Sequence, residues 1–130
     1  MFVTMLIGIY DKNNKELLLA NAGHEPPIIL NDKNEFSNFN ESGPPLGIVK
    51  KTKYEEFKIK FENSSMYIFT DGITEIKNPE GEELGSVGFQ KYITKYKDKP
   101  NNERLKLIID NIMSYKYLQK DDLAVVVLDS

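Results

Sequence analysis

Residues 2–10 (FVTMLIGIY) are apolar and rich in β-branched side chains, which predicts a buried strand. Residues 11–15 (DKNNK) carry turn chemistry, and 16–22 (ELLLANA) predict a second strand. Together they read as a hairpin with a loop of about five residues. Gly23-His24-Glu25-Pro26-Pro27 breaks regular structure, 28–30 is a short strand, 31–34 a turn and 35–40 a weak strand. Residues 42–47 (SGPPLG) form a loop, because two prolines do not fit a central ladder. Residues 54–61 alternate: Phe57, Ile59 and Phe61 face one way, and Glu56, Lys58 and Lys60 the other, the mark of a half-buried strand. After a turn at 63–65, residues 66–70 (MYIFT) are apolar on both faces and predict a central strand that Asp71-Gly72 ends. Another turn falls at 78–81. Residues 86–97 then place Phe89, Ile93 and Tyr96 on one helical face. Residues 102–117 do the same with Leu105, Ile108, Ile109, Ile112 and Met113, after a Pro100-Asn101 breaker and cap. Residues 123–128 (LAVVVL) close the chain as a buried strand. Strands, then two helices, then a strand predict an α+β sandwich.

The chain has 130 residues, the length of one domain. Its longest apolar runs fall far short of a membrane span, and its start lacks the basic segment of a secretory signal. Cysteine is absent, which excludes a disulfide framework and thiolate chemistry. The single histidine, His24, excludes any site needing two from this chain. A net charge of −3 disfavours nucleic acid, and Arg104, the one arginine, leaves almost no bidentate phosphate recognition.

Two acidic positions stand out by placement. Asp71 follows the strand read as central, and Asp121 and Asp122 precede the closing one. If those strands are antiparallel neighbours, the acids meet at one end of a sheet. They would bind a hard divalent cation able to activate a water for attack on phosphorus. The alternative is that they are ordinary turn acids. His24 is a general acid, a phosphate contact or a structural hydrogen-bonder. The lysines of 50–53 (KKTK) read as a solvated face. The sequence holds no glycine-rich phosphate loop, no G-x-S-x-G and no H-E-x-x-H.

Six short motifs occur in order: 1–5 (MFVTM), 21–27 (NAGHEPP), 43–47 (GPPLG), 69–75 (FTDGITE), 78–82 (NPEGE) and 121–127 (DDLAVVV). The series resembles, along the whole chain, the sporulation protein E-like branch of the metal-dependent protein phosphatases, bacterial relatives of protein phosphatase 2C. The resemblance implies an antiparallel β-sandwich of two sheets with flanking helices, and a Mn²⁺ or Mg²⁺ centre of two ions. It implies hydrolysis of phosphoserine or phosphothreonine on a small anti-sigma-factor antagonist by a metal-activated water, with no catalytic side chain. Asp71 and Asp121 match metal ligands. Asp122 matches the position beside them, Gly72 follows Asp71, and Asn21 and His24 match a loop of the site.

One family segment, an aspartate followed by Gly-His-Gly, has no counterpart in the 130 residues. Residues 1–130 are therefore expected to be the C-terminal portion of a single phosphatase domain, without the N-terminal strands and helix pair of the family fold. Weak or no activity alone is expected, and self-association through an uncovered apolar face. The alternative is a non-catalytic phosphoprotein-docking module or a degenerate regulatory relative. The expected location is the cytoplasm, or the inner side of a membrane-anchored parent, with no direct membrane contact.

Overall fold

A computed structural model describes residues 1–37, 39, 42–114 and 122–130. The chain divides into two compact units, Met1–Met66 with Leu128–Ser130, and Tyr67–Val127.

In the first unit, β1 (Met5–Asp11) and β2 (Glu16–Ala22) form the predicted hairpin, antiparallel from Met5 opposite Ala22 to Asp11 opposite Glu16. The Asp11 carboxylate closes the turn by accepting the backbone N–H groups of Asn13 at 2.9 Å and Asn14 at 3.3 Å. Lys15 takes a positive φ of 54° to leave it. The short strands β3 (Ile28–Leu30) and β4 (Phe36–Ser37) pair antiparallel around a turn in which the Asn31 side chain accepts the amides of Lys33 and Glu35. β5 (Phe57–Lys60) pairs with the other side of β2, so the first sheet has the order β1-β2-β5. Leu17 and Leu19 of β2 are buried with Phe61, whose ring meets Tyr10 edge-on at 5.9 Å. The predicted alternation of β5 holds, with Phe57 and Ile59 half-buried and Lys58 and Lys60 exposed.

β6 (Ser65–Phe69) and β7 (Val125–Asp129) belong to the second sheet, of order β4-β3-β6-β7. Ser130 N–H donates to the Ser64 carbonyl and Thr70 N–H to the Ala124 carbonyl, each at 3.0 Å. The flanks of β6 and β7 therefore match in opposite directions, the antiparallel arrangement that the acids require.

Two burial expectations fail. β1 was expected to be buried, yet Ile7 is 57% and Ile9 65% exposed. β7 was expected to be buried as well, yet Val126 is 54% exposed. Among the described residues each is an edge strand with a single neighbour. An apolar run reports hydrophobicity but does not say how many neighbours a strand has. β6, between β3 and β7, is the interior strand, with Met66, Tyr67 and Phe69 buried.

The second unit adds three helices. α1 (Asp71–Thr74) is one turn that the sequence did not announce; Asp71-Gly72 ends β6 as expected and opens this turn. α2 (Gly85–Tyr96) buries Phe89 and Ile93, and the Phe89 ring meets Tyr67 and Phe69 edge-on at 6.2 and 5.1 Å. α3 (Asn101–Ser114) starts one residue before the predicted span, with Asn101 inside it. The carbonyl of Pro100 accepts the amides of Glu103 and Arg104. Residues 115–117 of the predicted helix lie outside the described residues. The buried row of α3 is Arg104, Ile108 and Ile112, and Met113, expected on the core face, is exposed. Buried Arg104 has N–H groups satisfied inside the fold: Nε donates to the Lys99 carbonyl at 3.2 Å and Nη1 to the Tyr67 hydroxyl at 3.4 Å. Among the described residues no helix is long and apolar enough to cross a membrane.

Candidate functional site

Thr70 organises the end of β6. Its amide donates to the Ala124 carbonyl at 3.0 Å, and its Oγ1 accepts the Ala124 amide at 3.2 Å and donates to the Asp122 carbonyl at 3.3 Å. Residues 70–72 are thereby laid against 122–124. Gly72 completes the approach: a Cβ on it would lie 2.5 Å from the Asp122 carbonyl oxygen and 3.1 Å from Leu123 Cδ2. Only hydrogen fits there. α1 then fixes the backbone of Asp71, whose carbonyl accepts from the Glu75 amide at 2.9 Å and the Thr74 hydroxyl at 3.2 Å. The Asp71 and Asp122 side chains are exposed.

The structure thus brings together Asp71, Gly72 and Asp122, while Asp121 lies outside the described residues. Exposed carboxylates at a shared strand end are hard oxygen donors, a chemical fit to Mg²⁺ or Mn²⁺. Among the described residues no group of three or more histidines or carboxylates is gathered that would hold a metal ion. Thr70 was missed in the sequence. Its signal was present, a threonine ahead of Asp-Gly at a strand end, but its partners lie 52 and 54 residues away.

Asn21 and His24 belong to the first unit and do structural work there. The buried Asn21 side chain donates from Nδ2 to the His24 carbonyl at 2.8 Å and accepts the His24 amide at 2.9 Å. Its own carbonyl accepts the Gly43 amide at 3.1 Å. Between them Gly23 has φ 73°, and a Cβ there would sit 2.6 Å from Pro45 Cγ. His24 Nδ1 lies 2.8 Å from the Glu25 carbonyl oxygen. A carbonyl only accepts, so Nδ1 donates to it. Of the three roles open to His24, the hydrogen-bonding one has visible partners.

Among the described residues, Asp11 and Lys15 at the β1–β2 turn and Glu62 after β5 have displaced titration. Backbone and side-chain donation from Asn14, then the Asn13 amide, hold the Asp11 carboxyl below its ordinary value. The hydrogen bond between Lys15 Nζ and Glu62 Oε1 raises the lysine and lowers the glutamate.

Comparison with known proteins supplies what geometry alone does not. The chain is 31% identical to phosphoserine phosphatase RsbU of Bacillus subtilis over 131 aligned positions, covering 98% of this chain and 39% of RsbU. It superposes on the PP2C domain of Pseudomonas aeruginosa SiaA with a TM-score of 0.76 at 19% identity, over 98% of this chain and 52% of that one. The Mn-presoaked phosphatase domain of Bacillus subtilis SpoIIE gives 0.71 at 19%, over 97% of this chain and 55% of that one. The chain therefore spans well under two thirds of these proteins. The family model of stage II sporulation protein E (SpoIIE) matches residues 1–130. With the α+β architecture and the paired 70–72 and 122–124 segments, this match means that the chain belongs to the SpoIIE family of PP2C-like phosphatases.

Proposed function

We propose that this chain is a portion of a single metal-dependent phosphoserine/phosphothreonine protein phosphatase domain, and that Asp71 and Asp121 hold its Mn²⁺ or Mg²⁺. The observation that carries this reading is the pinning of residues 70–72 against 122–124 by Thr70 and Gly72. It keeps the exposed Asp71 at the end of β6 beside the exposed Asp122. With a metal ion bound, Asp122 would hydrogen-bond its waters, and Gly72 maintains the close approach. When bound, the cations neutralise phosphoryl oxygens and lower the pKa of the water that attacks phosphorus. The substrate is a small regulatory phosphoprotein of the anti-sigma-factor antagonist type, and the setting is the cytoplasm. Each divalent ion takes six or more oxygens. Asp71 and Asp121 are a thin set for two ions, so turnover by these 130 residues alone is weak.

Calorimetric titration of Mn²⁺ into the chain tests the site, with Asp71→Asn and Asp121→Asn as controls. Saturable binding lost in either variant is expected. No saturable binding up to about millimolar metal, weaker than any functional divalent site needs, would overturn the assignment.

A further inference from the structure

We infer that the loop of residues 47–53 docks the acidic surface of a phosphoprotein. The loop is built to display its tip. At its base, Val3 and Leu46 exchange both backbone hydrogen bonds, at 3.0 and 2.8 Å. Tyr54 seals the other end: its hydroxyl donates to the Pro44 carbonyl at 2.8 Å, and its ring lies where a Cβ on Gly43 would be, 2.5 Å from Cδ1. Within the loop, Gly47 and Lys51 take positive φ of 93° and 55°, and the Thr52 hydroxyl donates to the Val49 carbonyl at 3.3 Å. The closed base gives this short segment the form of an Ω-loop, a class that frequently carries function.

The tip presents apolar and cationic side chains together. Ile48 and Val49 are 56% and 55% exposed, side by side, beside exposed Lys50, Lys51 and Lys53. The sheet lysines Lys15, Lys58 and Lys60 are neutralised by Glu62 and Glu16. Among the described residues the three loop lysines make no such pair, and residues 47–53 contain no acid, in a chain of net charge −3. An aliphatic pair followed along the loop by three lysines complements a surface with an apolar spot and acidic or phosphorylated surroundings. A protein fits better than a lipid surface: polybasic membrane patches use clusters of about four to eight basic residues, and two aliphatic side chains anchor weakly. The solvated-face reading of the lysines covers their exposure but not the displayed apolar pair.

The inference rests on the phosphatase reading for its choice of partner, and its test runs without metal so that the two fail separately. Phosphorylated casein serves as the acidic phosphoprotein probe, titrated with EDTA present so that no phosphate is removed. The variants are Lys50→Glu, Lys51→Glu and Lys53→Glu combined, and Ile48→Ser with Val49→Ser. Lys91→Glu with Lys106→Glu, exposed on the helices, is the charge control. All substitutions are on the surface, and circular dichroism verifies folding. The loop reversal is expected to weaken binding at least about tenfold, the serine pair several-fold and the helix control less than about twofold, with all affinities falling as salt rises. Three results would overturn the proposal: no saturable casein binding by the unmodified chain, equal losses from loop and helix reversals, or tighter binding to phosphatidylserine–phosphatidylcholine vesicles than to casein. Mn²⁺ binding at Asp71 is judged separately by calorimetry.

Discussion

Gly72 and Thr70 show how single residues set the strand-end geometry. Alanine at 72 would bring its Cβ to 2.5 Å from the Asp122 carbonyl oxygen, a backbone atom that cannot swing aside. Gly72→Ala is expected to cost about 1–3 kcal/mol, as overpacking does, and to weaken Mn²⁺ binding by moving 122 away from 71. Chemical denaturation and calorimetry measure the two effects, and an unchanged stability would show that the two segments do not meet. Thr70→Val keeps the shape but removes Oγ1 from its two bonds with residues 122 and 124. A loss of about 1–3 kcal/mol is expected by the same measurement. The Asp-Gly pair was legible as a strand end. That its glycine serves closeness to Asp122 was not, because spacing in sequence carries no information on what lies 50 residues further on.

At the scale of elements, β1 is the outlier. It is seven residues long, lies at the edge of its sheet, and carries no lysine or proline to discourage pairing; its one charge, Asp11, is at the end. Natural edges usually hold such a guard. A second copy of β1 is the proposed partner, and Ile7→Lys would supply the guard. Light scattering across a concentration series is expected to show association in the unmodified chain and a monomer in the variant. A unmodified chain that stays monomeric at high concentration would refute this. The hairpin end also titrates. Asp11 has a depressed carboxyl pKa in the folded state, so its contribution is present above the unfolded value and is lost as pH falls through the folded one. Lys15 is raised by Glu62 and Glu62 is lowered by Lys15, so that pair's contribution is present between the two titrations: it fades as pH rises through the folded lysine value and as pH falls through the folded glutamate value. Asp11→Ala should flatten only the acid limb of the stability profile, measured by thermal melts between acidic and neutral pH. The alternation of β5 was readable because it records two different environments. The edge positions of β1 and β7 were not, because one apolar run suits either an interior strand or an exposed edge.

For the whole molecule, the ordered motif series made the family legible from one sequence, and the α+β class followed from element order. The buried Arg104 did not, since two of its acceptors, the Lys99 carbonyl and the Tyr67 hydroxyl, are brought to it only by folding. The same reasoning makes metal a reporter of the folded state. Asp71 and Asp122 are held together through contacts between residues 52 apart in sequence, so the unfolded chain offers no such pair. A ligand that binds only the folded chain stabilises it by RT ln(1 + [L]/Kd), about 2.7 kcal/mol at a hundred times Kd. For a chain of this length each kcal/mol shifts the melting temperature by about 2–8 °C. Saturating Mn²⁺ should therefore raise the melting temperature by several degrees, and EDTA should reverse the rise. Asp71→Asn should melt at the same temperature with and without metal. Its exposed side chain has no core role, so its metal-free melting temperature should stay near that of the unmodified chain. A rise that persists in Asp71→Asn would move the cation elsewhere on the molecule. No rise at all would mean that Asp71 and its neighbours across the strand end do not hold a divalent ion without further ligands.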